Sequence, residues 1–299
     1  IQNNVLHMNN AKYNKLIAFD GQLIDTSSPQ IMAILNITPD SFYENSRQQS
    51  EAQIAGRTEQ IMEEGASIID IGAYSTRPGA ADISAEEEME RLALALQTVR
   101  RTAPQAIISI DTFRSEVARR CVEEYGAHII NDISGGELDK DMFRTMAELN
   151  VPYILTHMRG NPQTMQQEAT YQDVTKEVIV HLGHRLEQLR EMGVCDVILD
   201  PGFGFAKSLD HNYELMAHLQ AFKVLQAPLL VGVSRKSMVY RLLECTPQEA
   251  LNATTALHTI ALLKGANILR VHDVKAAAEA ISIVKETLKH DGGGIGTTK

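Results

Sequence analysis

The sequence predicts an α/β fold, a (β/α)8 TIM barrel with a short N-terminal β-hairpin, and three observations predict it. Eight short runs rich in Ile, Val and Leu recur along the chain. A longer segment of helical period follows each run, the alternation expected of βαβ units around a parallel sheet. The eight units fit within about 260 residues, the usual length of one barrel domain. The runs are Ile31 to Leu35, Ile68 to Ile71, Ile107 to Ile110, His128 to Ile130, Tyr153 to Thr156, Val197 to Leu199, Leu229 to Val233 and Ile268 to Val271. A doubly wound open sheet is the competing architecture.

Several helix starts are readable. Ser84 and Glu87 form a capping box ahead of MERLALALQTVRR, and Thr246, Pro247 and Glu249 stand as N-cap, N1 and N3 of a helix running to about Lys264. Asp273 is the expected N-cap of the last helix. Before the first unit, LIAFDGQLID reads as two strands around an Asp20-Gly21 turn, a hairpin covering the bottom of the barrel. The expected organisation is therefore an extension and hairpin over 1–29, a catalytic barrel over 30–290, and a disordered tail, DGGGIGTTK, over 291–299. Two connections, Ile37 to Gln49 and Ala73 to Ile83, are longer than a βα turn needs, and long loops at the top of a barrel are usually functional.

Composition narrows the function. The 299 residues carry a formal net charge of -10 and no basic block, which argues against nucleic acid or an anionic membrane as partner. Cys121, Cys195 and Cys245 are too scattered for a disulfide framework or a zinc site, so a cytoplasmic location is expected. No apolar run reaches the ~18 residues of a membrane span, and IQNNVLHMNN is too polar for a signal peptide.

Barrel active sites lie at the C-terminal ends of the strands. The residues there are Asn36, Gly72 leading to Thr76 and Arg77, Asp111, Asn131 with Asp132, His157, Asp200, Ser234 leading to Lys236, and Arg270 with His272. Asp, Asn and Ser are common after strands as caps and turn formers, so each alone is ordinary. Eight polar ends on one face are not. Asp111 and Asp200 close apolar strands, where an ionised carboxylate needs a bound partner or a salt bridge. With Asn131 beside them they suit a neutral heterocycle presenting N–H donors, such as an amino-pyrimidine edge. The alternative is an internal salt bridge to Arg270 or Lys236. Arg270 and His272 share the same side of the last strand and read as an anion site, a buried Arg paired with a core Asp being the plainer choice. Ser237 begins a helix after the seventh strand. Lys236 is either a ligand donor or a Schiff-base nucleophile with Arg235 depressing its pKa. DPGFGFAKS is weak as a nucleotide fingerprint; His181 and His184 read as solvated surface residues.

With these residues in place, the chain resembles the dihydropteroate synthases from about Leu16 to about Thr287. The segments that carry the resemblance are LNITPDSF from Leu35, STRPG from Ser75, SIDT from Ser109, INDISG from Ile130, THMRGNP from Thr156, DPGFGFAK from Asp200, SRKS from Ser234 and RVHDV from Arg270. The resemblance implies a transferase of folate biosynthesis and sulfonamide target. It would condense 6-hydroxymethyl-7,8-dihydropterin pyrophosphate with p-aminobenzoate, with Mg2+, as a homodimer. It further implies that Asp111, Asn131, Asp200 and Lys236 hold the pterin, that Asn36 holds Mg2+ on the pyrophosphate, and that Arg270 and His272 meet the pyrophosphate oxygens. Phe42, Thr76, Arg77, Pro78, Phe205 and Ser237 would shape the aminobenzoate subsite, with Asp40 in the first loop. Asp111, Lys236, Arg270 and His272 are then the catalytic set. Two departures stand out: Tyr74 replaces the usual Glu before STRPG, and YENSR, Tyr43 to Arg47, replaces an acidic-glycine end of the first loop. The competing functions are presentation of methyltetrahydrofolate to a corrinoid protein, a Lys-dependent aldolase, and a pterin carrier without turnover.

Overall fold

The computed structural model describes residues 16–19, 22–37, 47–74, 82–161, 164–165 and 168–290. The Asp20-Gly21 turn, Asp40, Phe42, residues 43–46, Thr76, Arg77, Pro78 and the 291–299 tail lie outside the described residues.

Strands β1 (Leu16–Phe19) and β2 (Gln22–Asp25) pair antiparallel, Leu16 opposite Asp25. Eight strands and nine α-helices then follow among the described residues, the strands being β3 (Gln30–Asn36), β4 (Ile68–Gly72), β5 (Ile107–Asp111), β6 (Ile129–Asp132), β7 (Tyr153–Thr156), β8 (Val197–Asp200), β9 (Leu230–Val231) and β10 (Ile268–Val271). The helices are α1 (Arg47–Glu63), α2 (Ala85–Thr102), α3 (Ser115–Tyr125), α4 (Met142–Leu149), α5 (Val174–Glu191), α6 (Leu209–Ala217), α7 (Ser237–Tyr240), α8 (Leu251–Leu263) and α9 (Val274–His290). Parallel pairing runs in the order β8-β7-β6-β5-β4-β3-β10-β9, and a single Leu199–Leu229 bridge brings β8 to the segment entering β9. The eight strands form the expected barrel.

The strand period of two sorts its interior into layers. Ile69 and Ile71 of β4, like Ile108 and Ile110 of β5, point outward into the core under the helices. Inward at the N-terminal end stand Met32, Ile68, Ile129, Ile154, Ile198, Leu230 and Ile268, with Ile17 and Ile24 of the hairpin packed on them. The hairpin thus closes the bottom of the barrel. One inward step higher, the same strands present Asp70, Ser109, Asn131, Thr156, Asp200 and Arg270.

Four local expectations change. Ser84 caps α2 by accepting from Glu87 N–H at 3.1 Å, but the Glu87 carboxylate turns to Arg91 at 2.5 Å and leaves the box half made. Glu249 accepts from Thr246 N–H at 2.9 Å and its hydroxyl at 2.8 Å, yet on a separate turn, so α8 starts at Leu251. The Asp273 carboxylate serves Arg235 instead of capping α9. His184 is exposed as expected, whereas His181 is not a solvated residue: its ring lies edge-on to buried His157, centroids 4.9 Å apart. Among the described residues no helix is long and apolar enough to cross a membrane.

Candidate active site

The organising residue of the barrel mouth is Asp70, fully buried in the middle of β4. Its Oδ1 accepts from the Ser109 hydroxyl at 2.7 Å, and its Oδ2 accepts from Asn131 Nδ2 at 3.0 Å and Arg270 Nε at 2.7 Å. A second guanidinium nitrogen of Arg270 donates to Asp111 Oδ2 at 2.6 Å. The bland alternative for Arg270 therefore holds as well: two carboxylates occupy one face of its guanidinium, and only the remaining edge is available to an anion. A carboxylate held at both oxygens by donors on three strands is a rigid base for the two residues above it.

Asp111 and Asn36 flank Gly72. A Cβ on Gly72 would stand 3.3 Å from Asp111 Cβ and 3.5 Å from Asn36 Oδ1, so the absent side chain leaves room for both. Burial raises the Asp111 carboxyl to about 7, with Arg270 opposing the rise. Asp200 is buried, its Oδ1 accepting from Gly202 N–H at 2.8 Å; burial raises its pKa and Lys236 opposes this. Burial lowers Lys236 to about 8 against the attraction of Asp200. Arg235 does not cause that shift: its guanidinium turns away and binds Asp273 through two nitrogens at 2.7 and 2.8 Å. Lys236 Nζ donates to the Phe203 carbonyl at 2.6 Å and lies 4.6 Å from the centre of the Phe205 ring.

His272 follows β10, and its backbone N–H and Nδ1 lie 3.2 and 3.1 Å from the Ser234 hydroxyl at the end of the neighbouring strand segment. Ser237 opens α7 immediately after Lys236 and is half-buried. The structure thus gathers Asn36, Asp111, Asn131, Asp200, Lys236, Arg270 and His272 at one end of the barrel. Tyr74, the departure noted above, packs edge-on to Phe113, centroids 5.1 Å apart, with the Arg114 guanidinium 5.2 Å from its ring centre. Among the described residues no group of three or more His, Cys, Asp or Glu side chains is placed to hold a metal ion.

Sequence reasoning missed Asp70, Ser109 and Lys207. The signal was present: Asp70 and Ser109 lie two residues beyond inward Ile68 and Ile107.

Comparison with known proteins places the chain in a family. The pattern of the family described as pterin binding enzyme matches residues 32–272, and the chain belongs to that family. Within it, the chain is 42% identical over 276 residues to the dihydropteroate synthase of Escherichia coli K12, covering 92% of this chain and 96% of that one. Among solved structures, the Yersinia pestis dihydropteroate synthase with a sulfonamide drug superposes with a TM-score of 0.84 at 39% identity, covering 92% of this chain and 99% of that one. The Xanthomonas albilineans dihydropteroate synthase with 4-aminobenzoic acid gives 0.84 at 32% identity, covering 92% and 98%.

Proposed function

We infer that the protein is a transferase that joins 6-hydroxymethyl-7,8-dihydropterin pyrophosphate to p-aminobenzoate, giving 7,8-dihydropteroate and pyrophosphate. The observation that carries the reading is the convergence of Asp111, Asn131, Asp200 and Lys236 above the Asp70 network. Two carboxylates, an amide and an ammonium match the donors and acceptors of a pterin: Asp200 accepts from its amino-pyrimidine edge, Asn131 both donates and accepts, and Lys236 donates to a ring acceptor.

The carbon under attack is a methylene on an electron-rich ring, so pyrophosphate can depart first and leave a cation delocalised into the pterin. The free edge of Arg270 and the His272 ring stabilise the departing oxygens, and Asn36 faces the same volume. Asn36 offers one neutral oxygen, which fits Mg2+, an ion that keeps several waters and draws other ligands from substrate phosphates. When bound there, Mg2+ neutralises leaving-group charge. An arylamine is already unprotonated at neutral pH, so no general base is required on it. Ser237 receives the aminobenzoate carboxylate and the Phe205 ring packs on the arene; the family resemblance assigns Phe42, Thr76, Arg77 and Pro78 to the same subsite. Orientation of the two substrates supplies the remaining rate.

The partners are these small molecules and, in the same reading, a second copy of the chain in a cytoplasmic homodimer. Ala256, Ile260 and Leu263, exposed along one face of α8, support self-association. The three free cysteines support a reducing compartment.

The decisive test is pyrophosphate release from the purified protein with both substrates, with and without added Mg2+. Release that requires aminobenzoate establishes the reading. Pterin binding without release, or methyl transfer from methyltetrahydrofolate to a corrinoid protein, overturns it.

A further inference from the structure

The turn between β8 and α6 rests on a lysine that no step of the proposed reaction uses. Lys207 is buried. Its Nζ donates to the carbonyl oxygens of Gly202 at 2.9 Å and Phe205 at 3.1 Å, and it lies 3.0 Å from His157 Nδ1. For stability alone an ammonium is a poor choice here. Burial lowers it to about 7 against the attraction of Asp200, and an apolar chain of similar shape avoids that desolvation. What the lysine supplies is donors for two inward carbonyls, buried groups that need a partner.

Those carbonyls point inward because the backbone turns sharply. Gly202, Gly204 and Ala206 have φ of +71°, +82° and +47°. A Cβ on Gly202 would stand 1.9 Å from the His157 carbonyl oxygen, so the turn packs directly on the end of β7. Ala206 takes the left-handed conformation despite its Cβ, which persists only where neighbouring contacts enforce it. Lys207 is the adjacent residue, and its bonds to 202 and 205 close the turn from below.

His157 completes the arrangement. Its ring is fully buried, and burial together with the Lys207 charge holds its pKa well below the usual histidine value, so it stays neutral. A neutral imidazole serves this lysine in either state of charge. It accepts at Nδ1 from an ammonium with its own proton on Nε2, or donates from Nδ1 to a free amine with the tautomer reversed. Nε2 has no hydrogen-bond partner among the described residues, so the exchange breaks no bond on the far side.

We propose that Lys207 and His157 are a positioning pair for the substrate site, fixing the turn whose Phe203 carbonyl receives Lys236 and whose Phe205 ring lies against the same ammonium. The proposal rests on the functional reading above, in which Lys236 serves the pterin and Phe205 the aminobenzoate. Neither member of the pair touches substrate; both act through the turn.

Four variants of the full chain test this: Lys207→Met, Lys207→Gln, His157→Leu and His157→Asn. The two apolar replacements should raise KM for p-aminobenzoate by about tenfold and weaken pterin binding in calorimetry several-fold, with kcat falling less than KM rises. His157→Asn sets an amide where Nδ1 stands and should return KM to within about threefold of the parent. Lys207→Gln, with one amide donor group, should fall between. A loss of melting temperature with both constants unchanged overturns the proposal, and so does His157→Asn behaving like His157→Leu. Should Lys207→Met not fold, the two His157 variants decide. Failure of the functional reading looks different: the parent protein then releases no pyrophosphate, while the effect of each variant on pterin binding can still be read.

Discussion

Ile198 and Asp200 stand on one strand, face the same interior and are separated by one residue, yet they belong to regions built on opposite terms. Around Ile198 the barrel floor is wholly apolar, from Met32 to Ile268, and sealed by Ile17 and Ile24. Around Asp200 the mouth holds Asp70, Asp111, Lys207, Lys236 and Arg270, ionisable groups largely withdrawn from water. Each floor residue contributes by its own area. The mouth residues contribute through one another, because a buried charge is tolerable only while its partners remain. Floor substitutions should therefore move stability and spare ligand constants, and mouth substitutions should do more.

The largest expected effect is Asp70→Ala, which leaves Arg270 with one carboxylate and Ser109 and Asn131 without their acceptor. Stability in urea should fall by about 3–5 kcal/mol at pH 7, with turnover abolished. A loss below 1 kcal/mol would mean that the mouth does not act as a unit. Next comes Ile154→Ala in the floor, where the lost contacts and cavity should cost about 2–4 kcal/mol while both KM values stay within twofold of the parent. Altered substrate constants there would erase the contrast between the two ends.

Asp200→Asn keeps shape and removes the anionic acceptor, so pterin affinity measured by calorimetry should weaken by about 1.5–3 kcal/mol in a folded protein. Ser237→Ala should raise KM for p-aminobenzoate by about 1–2 kcal/mol equivalent and change sulfonamide inhibition, with pterin affinity unmoved. If only the melting temperature falls, Ser237 is confined to opening its helix.

The last expected effect concerns pH. Burial raises Asp111 to about 7, so the folded protein holds a proton that the unfolded chain has released once pH passes the ordinary aspartate value. The contribution of Asp111 is thus fully present below about 4 and is lost as pH rises through about 7. In the ligand-free protein, the stability of Asp111→Asn relative to the parent should improve steadily as pH rises between those limits. A difference that is flat or of opposite slope would show that Arg270 keeps Asp111 ionised throughout.

The strand ends were legible because a parallel barrel strand stops where its apolar run stops, which located Asn36, Asp111, Asn131, Asp200, Arg270 and His272 at the mouth. Asp70 was not, since a strand buried on both faces looks like an unbroken apolar run and one carboxylate within IIDI does not mark a terminus. Ser109 escaped for the same reason. The start of α8 was misplaced because Thr246 and Glu249 make capping bonds that stabilise any single turn, helical continuation or not. His181 reads as solvated because Glu177, His184 and Arg185, one helical turn to either side of it on α5, are polar. What encloses it, His157 at the end of β7, is distant in sequence and close only after the barrel closes.

The short strand β9 has a consequence for how the barrel breathes. Leu230–Val231 is two residues long, and one bridge at Leu229 joins it to β8, whereas β3 and β4 pair over five positions. Amide protons are released by local opening, which follows the weakest pairing first. Hydrogen exchange should accordingly be faster along the β8–β9 seam than between β3 and β4. Asp200 stands at the end of one side of that seam and Ser234 to Lys236 follow the other. The groups assigned to the pterin therefore straddle the least firmly stitched join of the barrel, and a ligand that spans them acts as its missing rungs.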